Sequence, residues 1–364
     1  MKKIRILGTR GIPAAHGGFE TFAEHLALYL AEQGWSVTVY NQADDGYKIW
    51  EDEWCGVRRV HIPVKLKGSI ATIIFDLKST LHAARESDLI LTLGYNTAVF
   101  CLIYRLKGIC NLINMDGLEW QRAKWPKPVQ AWFYINERFG CWLGNHLIAD
   151  NPGIVDHLLT RVSPDKITMI PYGADAADKV DKSVLSTYGL EPGEYLTLIA
   201  RPEPENSVLE IVKAFSRKPR GKTLLVLGKY DETHTYQKAV LESASAEVKF
   251  VGAIYDKQVV KSLRYFCAVY IHGHQVGGTN PSLIEAMGVG NPVLANDNKF
   301  NRWVAGEAAR YFHDEESCAI QLDAILNDPQ LLLSMSENIL ARYKAEFTWE
   351  HVLSDYEALL TKWL

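Results

Sequence analysis

Residues 268–296 read AVYIHGHQVGGTNPSLIEAMGVGNPVLAN, and this stretch decides the fold. Its two ends, 268–271 and 292–295, are short apolar runs typical of buried strands. Between them lies a glycine-rich loop, then Thr279 and Asn280, either of which can cap a helix, and Pro281, which suits the first helical position. A strand, a helix and a second strand in this order predict a parallel β-α-β unit.

The same alternation extends along the rest of the chain. Amphipathic helices are predicted at 20–33 and 70–85. The other predicted strands are 4–7, 36–40, 60–64, 89–93, 111–114, 147–149, 166–170, 195–200, 223–227 and 248–251. Strands that alternate with helices predict an α/β fold of doubly wound parallel sheets, whose ligands bind at the carboxyl ends of the strands.

The alternation pauses at a polar stretch near 171–190 and then starts again. A chain of 364 residues also exceeds one ordinary core, since domains average roughly 150 residues. We therefore expect one domain at 1–172, a second at 173–346 and a closing helical segment at 347–364. Two such sheets on either side of a hinge would face each other across a ligand cleft.

Composition excludes several classes of protein. Hydrophobic residues make up 48% and charged residues 23%, which is a globular balance. The net charge of −4 disfavours a nucleic-acid binder, and the six cysteines include no C-x-x-C pair that would suggest zinc. The start resembles no signal peptide, and no apolar run approaches the roughly 18 residues of a membrane span. We expect a cytoplasmic protein that holds no metal.

A long loop joins the first strand to the first helix and ends in Gly17 and Gly18. Glycines there allow the backbone to approach an anion at the helix start. The dinucleotide motif G-x-G-x-x-G is absent, which disfavours a nicotinamide enzyme such as a nucleotide-sugar dehydrogenase or epimerase. An ordinary strand-to-helix turn is the alternative interpretation of these glycines.

The stretch quoted first has the form of a phosphate-binding loop. Backbone N–H groups of Gly278 and Thr279 lie at the predicted start of the helix, which Thr279 or Asn280 would cap, and Glu285 lies one turn inside it. Glu285 could reach a ribose hydroxyl, or it could be an ordinary solvated carboxylate. His272 and His274 share one face of the strand, but without a third ligand in view, hydrogen bonding or packing is favoured over a metal.

Two further loops leave predicted strands. In the first, Arg201 at a strand end could bind a diphosphate with two hydrogen bonds, or could form an ordinary surface ion pair. In the second, Asp116 and Gly117 follow the strand 111–114, where the pair could also be a simple turn. Their positions at strand ends make both loops candidates for the site.

Taken together, these stretches resemble family 4 of the retaining glycosyltransferases, which have two Rossmann-like domains (the GT-B fold). The resemblance rests on the Gly17–Gly18 loop, PYGAD at 171–175, the Arg201 loop, and residues 281–293 as P-S-x-x-E-A-M-x-x-G-x-P-V. It covers the whole chain and implies that the C-terminal helix crosses back to the N-terminal domain. The family's E-x7-E pair keeps only Glu285, because Gly277 occupies the first position.

The resemblance implies roles for the candidate residues. Two carboxylates are assigned to catalysis, near the acceptor hydroxyl or the developing charge: Asp116 and Glu205. Eight residues are assigned to the donor: Gly17, Gly18, Arg201, Asn206, Gly278, Thr279, Asn280 and Glu285. Asn206 stands where the family typically has a lysine, and Asp116 stands where it has a histidine. Ile254 and Tyr255 would border the base, and neither a cofactor nor a metal is required.

The motifs GTRGIPAAHGGFET, DGLEW and GGTNPSL are similar to those of bacterial rhamnosyltransferases of polysaccharide assembly. The resemblance implies a retaining hexosyltransferase that uses dTDP-rhamnose and a saccharide acceptor linked to a lipid diphosphate. A UDP- or GDP-sugar donor, and a nucleotide-sugar binding protein without transfer activity, are the alternatives.

Ten tryptophans are unusual, and four of them lie between Trp120 and Trp142 among lysines and arginines. Aromatic and basic side chains together suit a membrane interface, where a lipid-linked acceptor would be reached. A packed helix is the alternative, since aromatic stripes are often core. We expect a cytoplasmic protein that could associate with the inner face of the membrane.

Overall fold

A computed structural model describes residues 2–15, 17–44, 46–176 and 179–364. His16, part of the glycine-loop motif, lies outside the described residues. The chain divides into two compact units. Unit 1 comprises residues 1–171 with 349–364, and unit 2 comprises residues 172–348. Each unit has its own sheet in an α/β arrangement, as the alternation of strands and helices predicted.

Unit 1 contains a sheet of eight strands within the described residues. Its strands are β1 (Lys3–Leu7), β2 (Ser36–Ala43), β3 (Trp50–Trp54), β4 (Val57–Pro63), β5 (Leu89–Leu93), β6 (Asn111–Asn114), β7 (His146–Ala149) and β8 (Ile167–Met169). Their order is β3-β4-β2-β1-β5-β6-β7-β8. All pairs are parallel except β3 with β4, so this sheet is mixed where a wholly parallel one was expected.

The helices of unit 1 cover both faces of that sheet. They are α1 (Gly18–Glu32), α2 (Gly68–Ala83), α3 (Leu102–Lys107), α4 (Lys127–Leu143) and α5 (Pro152–Leu158). Apolar residues of α1, such as Phe22 and Leu26, are buried against the sheet. The parallel register begins with Ile4 beside Val37 on one side and Leu89 on the other. Alternation of buried apolar strands with amphipathic helices places the core on both sides of the sheet.

Unit 2 contains a sheet of six strands within the described residues. Its strands are β9 (Tyr195–Ile199), β10 (Thr223–Leu227), β11 (Val248–Phe250), β12 (Val269–His272), β13 (Val293–Asn296) and β14 (Arg310–Phe312), in the order β11-β10-β9-β12-β13-β14. Its helices are α6 (Val184–Thr187), α7 (Val208–Ser216), α8 (Thr235–Glu242), α9 (Lys257–Tyr265), α10 (Pro281–Gly288), α11 (Lys299–Ala305), α12 (Glu315–Leu326) and α13 (Pro329–Glu346).

The last helix, α14 (Trp349–Thr361), belongs to unit 1. Phe22 of α1 packs with its ring centroid 4.7 Å from that of Tyr356. The Tyr356 hydroxyl accepts a buried hydrogen bond of 2.8 Å from Asn114 Nδ2 at the end of β6. The C-terminal helix therefore completes the core of the unit in which the chain begins.

Candidate functional site

The first candidate site lies in unit 2, where the chain reverses its direction across the sheet. From β9 the chain passes outward through β10 and β11, and then returns to β12 on the other side of β9. Such a switch point leaves a crevice at the carboxyl ends of the two neighbouring strands. The Arg201 loop follows β9, and the glycine loop that begins at Gly273 follows β12. Residues 70 positions apart in sequence are therefore neighbours here.

Hydrogen bonds join these two loops. The backbone N–H of Gln275 donates to the carbonyl of Glu205 at 2.9 Å. The Ser207 hydroxyl donates to the carbonyl of Gly273 at 2.9 Å, and Gln275 Nε2 donates to that hydroxyl at the same distance. A Cβ atom at Gly273 would overlap the Asn206 carbonyl oxygen, so only glycine allows this approach. The two loops form one rigid edge of the crevice.

Arg201 and Asn206 occupy different environments in this edge. Asn206 is buried, and its Nδ2 donates to the carbonyl of Arg201 at 2.8 Å, which closes the loop on itself. The Arg201 side chain is exposed and has no ion-pair or hydrogen-bond partner among the described residues. The structure thus gives Asn206 a part in shaping the loop and leaves the Arg201 guanidinium available to a ligand. Glu205, between them, is half-buried.

The glycine loop ends at the start of α10, as the sequence predicted. Asn280 is the N-cap, and its side-chain oxygen accepts a hydrogen bond of 3.0 Å from the N–H of Ser282. Pro281 occupies the first turn, which contains no acidic residue. Gly277 has φ = 135°, a conformation that favours glycine, and Thr279 is buried. Gly278 and Thr279 thus lie where backbone N–H groups and the helix dipole favour an anion.

Glu285, one turn inside α10, is held by an arginine that sequence reasoning missed. Arg264 of α9 forms an ion pair with it, with 2.6 Å between Nη1 and Oε2. The Arg264 side chain is buried, and its Nη2 also donates to the Ser282 hydroxyl at 2.7 Å. No local pattern announces this arginine, because the contact joins two helices. The pair fixes the direction of the Glu285 carboxylate, which is itself 44% exposed.

The two histidines pack against each other. The rings of His272 and His274 are stacked with 4.4 Å between their centroids, and His272 Nδ1 lies 3.2 Å from the Tyr270 hydroxyl. Burial holds the pKa of His272 well below its ordinary value, so the ring is neutral. The described residues contain no group of three metal-ligating side chains. This geometry fits the packing and hydrogen-bonding interpretation.

Ile254 and Tyr255 follow β11 at the same edge of the sheet. Ile254 packs against the buried cluster that includes Leu227 and Leu263. Tyr255 is 75% exposed. The loop thus presents an aromatic ring to solvent, and its role beside a base stays a prediction.

The second candidate site is a cavity in unit 1, again at a switch point. Here β1 lies between β2 and β5, so the chain reverses between β1 and β5. A cavity of about 330 Å³ opens at the ends of these two strands, and Gly17 and Gly18 line it. Gly17 is the N-cap of α1 with φ = 88°. The glycine pair thus lies beside a cavity, and its role at an anion stays a prediction.

The same cavity contains a carboxylate that sequence reasoning missed. Asp76 of α2 lines it, and Asp76 Oδ2 accepts a hydrogen bond of 2.8 Å from the Thr97 hydroxyl. Burial raises the pKa of this carboxyl to about 6. In the sequence Asp76 is one polar residue of an amphipathic helix, so only the packing of α2 against the sheet reveals its burial.

Asp116 follows β6. In the sheet, β6 is the neighbour of β5, the strand that ends at the cavity. It adopts φ = 52°, and its Oδ1 accepts a hydrogen bond of 2.7 Å from the N–H of Gly117. Burial, and then the charge of Glu119, raise the pKa of Asp116 to about 6. A half-buried carboxyl with this pKa can accept or release a proton near neutral pH.

The tryptophan region combines packed and exposed rings. Trp125 Nε1 donates to Glu119 at 3.0 Å, and Trp120 Nε1 donates to Glu137. Along α4, in contrast, Trp132, Ile135 and Trp142 expose between 38% and 60% of their surface. Among the described residues, no helix is long and apolar enough to cross a membrane.

Comparison with known proteins agrees with this architecture. The structure of sucrose-phosphate synthase from Thermosynechococcus elongatus is 19% identical and aligns with a TM-score of 0.80, over 100% of this chain and 99% of that one. Anabaena HepE in complex with UDP is 15% identical, with a TM-score of 0.77 and full coverage of both chains. The chain has the GT-B glycosyltransferase fold. A UDP-forming trehalose-phosphate synthase from Burkholderia vietnamiensis shares this GT-B fold at 12% identity, with a TM-score of 0.74 and full coverage of both chains.

Family models divide the GT-B chain in two. Residues 207–358 match the model described as "Glycosyl transferase-like", which contains the α10 site. Residues 1–175 match a domain of unknown function, DUF1972. No curated protein sequence matches the chain. The glycosyltransferase-like domain thus carries the candidate donor site, and the domain of unknown function carries the Asp76 cavity.

Proposed function

We propose that this protein transfers a hexose from a nucleotide-diphosphate sugar to a saccharide acceptor. The observation that carries the proposal is the hydrogen-bonded edge formed by the loops after β9 and β12: one loop carries the exposed Arg201 side chain, and the other leads into the start of α10. The GT-B fold and the glycosyltransferase-like match of residues 207–358 support it.

The chemistry of such a transfer suits these groups. The leaving group is a nucleoside diphosphate, so catalysis needs cations and N–H dipoles directed at its developing charge. Arg201 and the backbone at Gly278 and Thr279 would supply them, and Asn206 would support Arg201 through the loop. Glu285, oriented by Arg264, would accept hydrogen bonds from the ribose, with Ile254 and Tyr255 beside the base. No step of this scheme uses a metal ion or another cofactor.

For the donor we propose dTDP-rhamnose, on the resemblance to rhamnosyltransferases, with retention of configuration. UDP- and GDP-sugars are the competing donors, and one structurally similar protein, Anabaena HepE, is described in complex with UDP-glucose. For the acceptor we propose a saccharide linked to a lipid diphosphate, in the assembly of bacterial surface polysaccharide. In unit 1, Asp116 would lie nearest the acceptor hydroxyl.

Thermal shift with dTDP, UDP and GDP tests the donor site directly. A ligand that binds only the folded protein adds about 2.7 kcal/mol to its free energy of unfolding at 100 times the Kd. The melting temperature therefore rises. We expect the largest rise with dTDP and a smaller rise in Arg201→Ala. Arg310→Ala removes an exposed arginine of β14 in the same unit and serves as the matched control. The absence of any rise with all three nucleotides would overturn the proposal.

A second candidate is a nucleotide-sugar binding protein without transfer activity. It is favoured by Gly277 and Asn206, which stand where the family has a glutamate and a lysine. Assay of nucleotide released from dTDP-rhamnose, with a panel of saccharide acceptors, separates the two. Release that depends on acceptor supports the enzyme, and tight binding with no release supports the binding protein.

We also propose that the exposed face of α4 contacts the membrane from the cytoplasmic side. The face presents Trp132, Ile135 and Trp142, and Arg138 lies beside them. Aromatic rings with a nearby cation suit the interface of an anionic bilayer. Co-sedimentation with vesicles should therefore rise with the fraction of phosphatidylglycerol and fall in Trp142→Ser. Binding that ignores both changes would contradict the proposal.

A further inference from the structure

The unit 1 cavity has the lining of a site for a hydroxyl-rich ligand. Within about 330 Å³, it is lined by hydroxyl, amide and glycine groups with two phenylalanine rings. Its hydroxyl and amide side chains are Thr9, Thr72, Ser79, Thr80, Thr92, Thr97 and Asn96. Saccharides are bound by such groups, since each sugar hydroxyl both donates and accepts hydrogen bonds.

The charges around this cavity disfavour an anion inside it. Its lining contains two carboxylates, Asp76 and Glu20, and one guanidinium, Arg10, which gives a formal sum of −1. Asp76 accepts its hydrogen bond from Thr97, and no cation among the described residues pairs with it. A half-buried carboxylate without a cation is a strong acceptor for a hydroxyl and repels a phosphate.

A second cavity of about 430 Å³ adjoins the first and has the opposite charge. The two share Arg10 and Thr72 in their linings. The lining of the second cavity contains three cations, Arg10, Lys65 and Lys67, and one carboxylate, Asp44. Its formal charge is therefore +2. Within the described part of the chain, Arg10, Lys65 and Lys67 form no ion pair; Lys65 Nζ lies 3.5 Å from the centroid of the Tyr47 ring. Three unpaired cations around one cavity suit a phosphate group.

We propose that these two cavities form one acceptor site, for a saccharide that carries a phosphate or diphosphate at one end. The sugar ring occupies the Asp76 cavity, with a hydroxyl donating to the Asp76 carboxylate. The phosphate occupies the basic cavity, held by Arg10, Lys65 and Lys67. This assignment rests on the proposed transferase function and deepens it, because it locates the acceptor and gives Asp76 a ligand contact.

Surface beside the basic cavity indicates where such an acceptor comes from. Leu66, which lines the basic cavity, is 52% exposed, and Ile70 in the first turn of α2 is 63% exposed. Two exposed apolar side chains next to a phosphate site suit the first carbons of a lipid chain. A free sugar phosphate shares the same polar chemistry and would leave these side chains without a contact.

Binding of three forms of one sugar tests the proposal. N-acetylglucosamine, its 1-phosphate and its farnesyl diphosphate are titrated into the full chain by calorimetry, and the same series is repeated with galactose and rhamnose. For at least one sugar we expect the 1-phosphate to bind at least tenfold more tightly than the free sugar. A further gain with the farnesyl diphosphate assigns the lipid-linked source, and equal affinities assign the soluble one.

Substitutions in each cavity test its part in binding separately. Lys65→Ala/Lys67→Ala should abolish the preference for the phosphorylated form, whereas Lys3→Ala/Lys362→Ala, which removes two exposed lysines from the same unit, should preserve it. Asp76→Asn should weaken the binding of the free sugar and of its 1-phosphate by the same factor, about tenfold. Thr97→Val, which removes the hydroxyl that orients Asp76, should weaken both by a smaller factor.

The proposal is overturned if free and phosphorylated sugars bind equally for every sugar, or if the lysine variant matches its control. Its failure is distinguishable from failure of the transferase function. The nucleotide-induced rise in melting temperature reports on the donor site, and none of these variants changes a residue assigned to the donor, so the rise is measured on the same variants and should not change. Either overturning result, obtained together with an intact nucleotide response, would overturn only the acceptor site, whereas the absence of a nucleotide response in the unsubstituted chain would overturn the transferase function.

Discussion

At the scale of single residues, Asp76 combines a function with a cost in stability. The fold raises the pKa of its carboxyl from about 4 to about 6, so the folded protein holds this proton to a higher pH than the unfolded chain does. Stability is therefore highest below the unfolded pKa and falls as the pH rises to about 6. A shift of roughly two units corresponds to at most about 3 kcal/mol. Because the ionised Asp76 carboxylate destabilises the fold, we infer that it serves to bind a ligand rather than to stabilise the structure.

Asp76→Asn should consequently stabilise the protein at pH 7. The amide is uncharged and its oxygen still accepts the Thr97 hydrogen bond, so the gain should approach about 1–3 kcal/mol. Near pH 4 both proteins are neutral at this position, and the gain should vanish. Urea unfolding at the two pH values measures the difference. An equal effect at both would show that the charge of Asp76 is not responsible.

The proposed roles of Asp116 and Glu205 each predict an effect of substitution on the rate of sugar transfer. If either carboxylate acts at the acceptor hydroxyl, Asp116→Asn or Glu205→Gln should lower kcat by about 10²–10⁴ with little change in nucleotide binding. Because Asp116 has a pKa of about 6, loss of its group should also remove a limb near pH 6 from the rate profile. Full transfer rates in a folded variant would remove that residue from the mechanism.

Local chemistry explains which site residues the sequence could predict. The helix cap and Pro281 in the first turn of α10 depend only on neighbours in the chain; the structure confirms Pro281 and, of the two cap candidates Thr279 and Asn280, shows Asn280. Arg264 and Asp76 act through tertiary contacts, Arg264 with Glu285 and Asp76 with Thr97. No spacing in the sequence encodes those pairs, so sequence reasoning could not find them.

At the scale of elements, the central strands and the edge strands β8 and β11 were predicted, whereas the edge strands β3 and β14 were not. Runs such as 89–93 and 223–227 are continuously apolar because both faces of a central parallel strand are buried. The edge strand β3 reads WEDEW and contains residues disfavoured in strands. Ion pairs with β4, Glu51 with Arg58 and Asp52 with Arg59, stabilise it instead. The short edge strand β14 was likewise missed.

Gly273 tests whether the two loops of unit 2 work as one edge. Gly273→Ala places a methyl group against the Asn206 carbonyl and must separate the loops, at a cost of about 1–3 kcal/mol. We expect the nucleotide-induced rise in melting temperature to disappear in this variant. Gly193→Ala, whose added methyl group meets open space at φ = 76°, should lose comparable stability and keep the nucleotide response. Equal nucleotide responses in the two variants would contradict a joined edge.

At the scale of the whole molecule, each unit places its candidate site at its own switch point. In unit 1 the chain reverses between β1 and β5, and in unit 2 between β9 and β12. The alternation of strands and helices in the sequence was enough to predict the α/β class. The strand order, which decides where the switch points fall, depends on contacts far apart in sequence and came only from the structure. One fold thus offers two candidate sites, one in each unit.

Because α14 belongs to the core of unit 1, the two units should unfold in separate cooperative transitions, each stabilised by its own buried contacts. Tyr356→Phe removes the acceptor of the buried Asn114 amide and should cost about 1–3 kcal/mol in unit 1 alone. Tyr343→Phe removes a buried hydrogen bond to the Ala174 carbonyl and is the matched change in unit 2. Scanning calorimetry should therefore show two transitions, each lowered by about 2–4 °C per kcal/mol in one variant only. If both variants lower the same transition, the units share one cooperative core and α14 is not specific to the first.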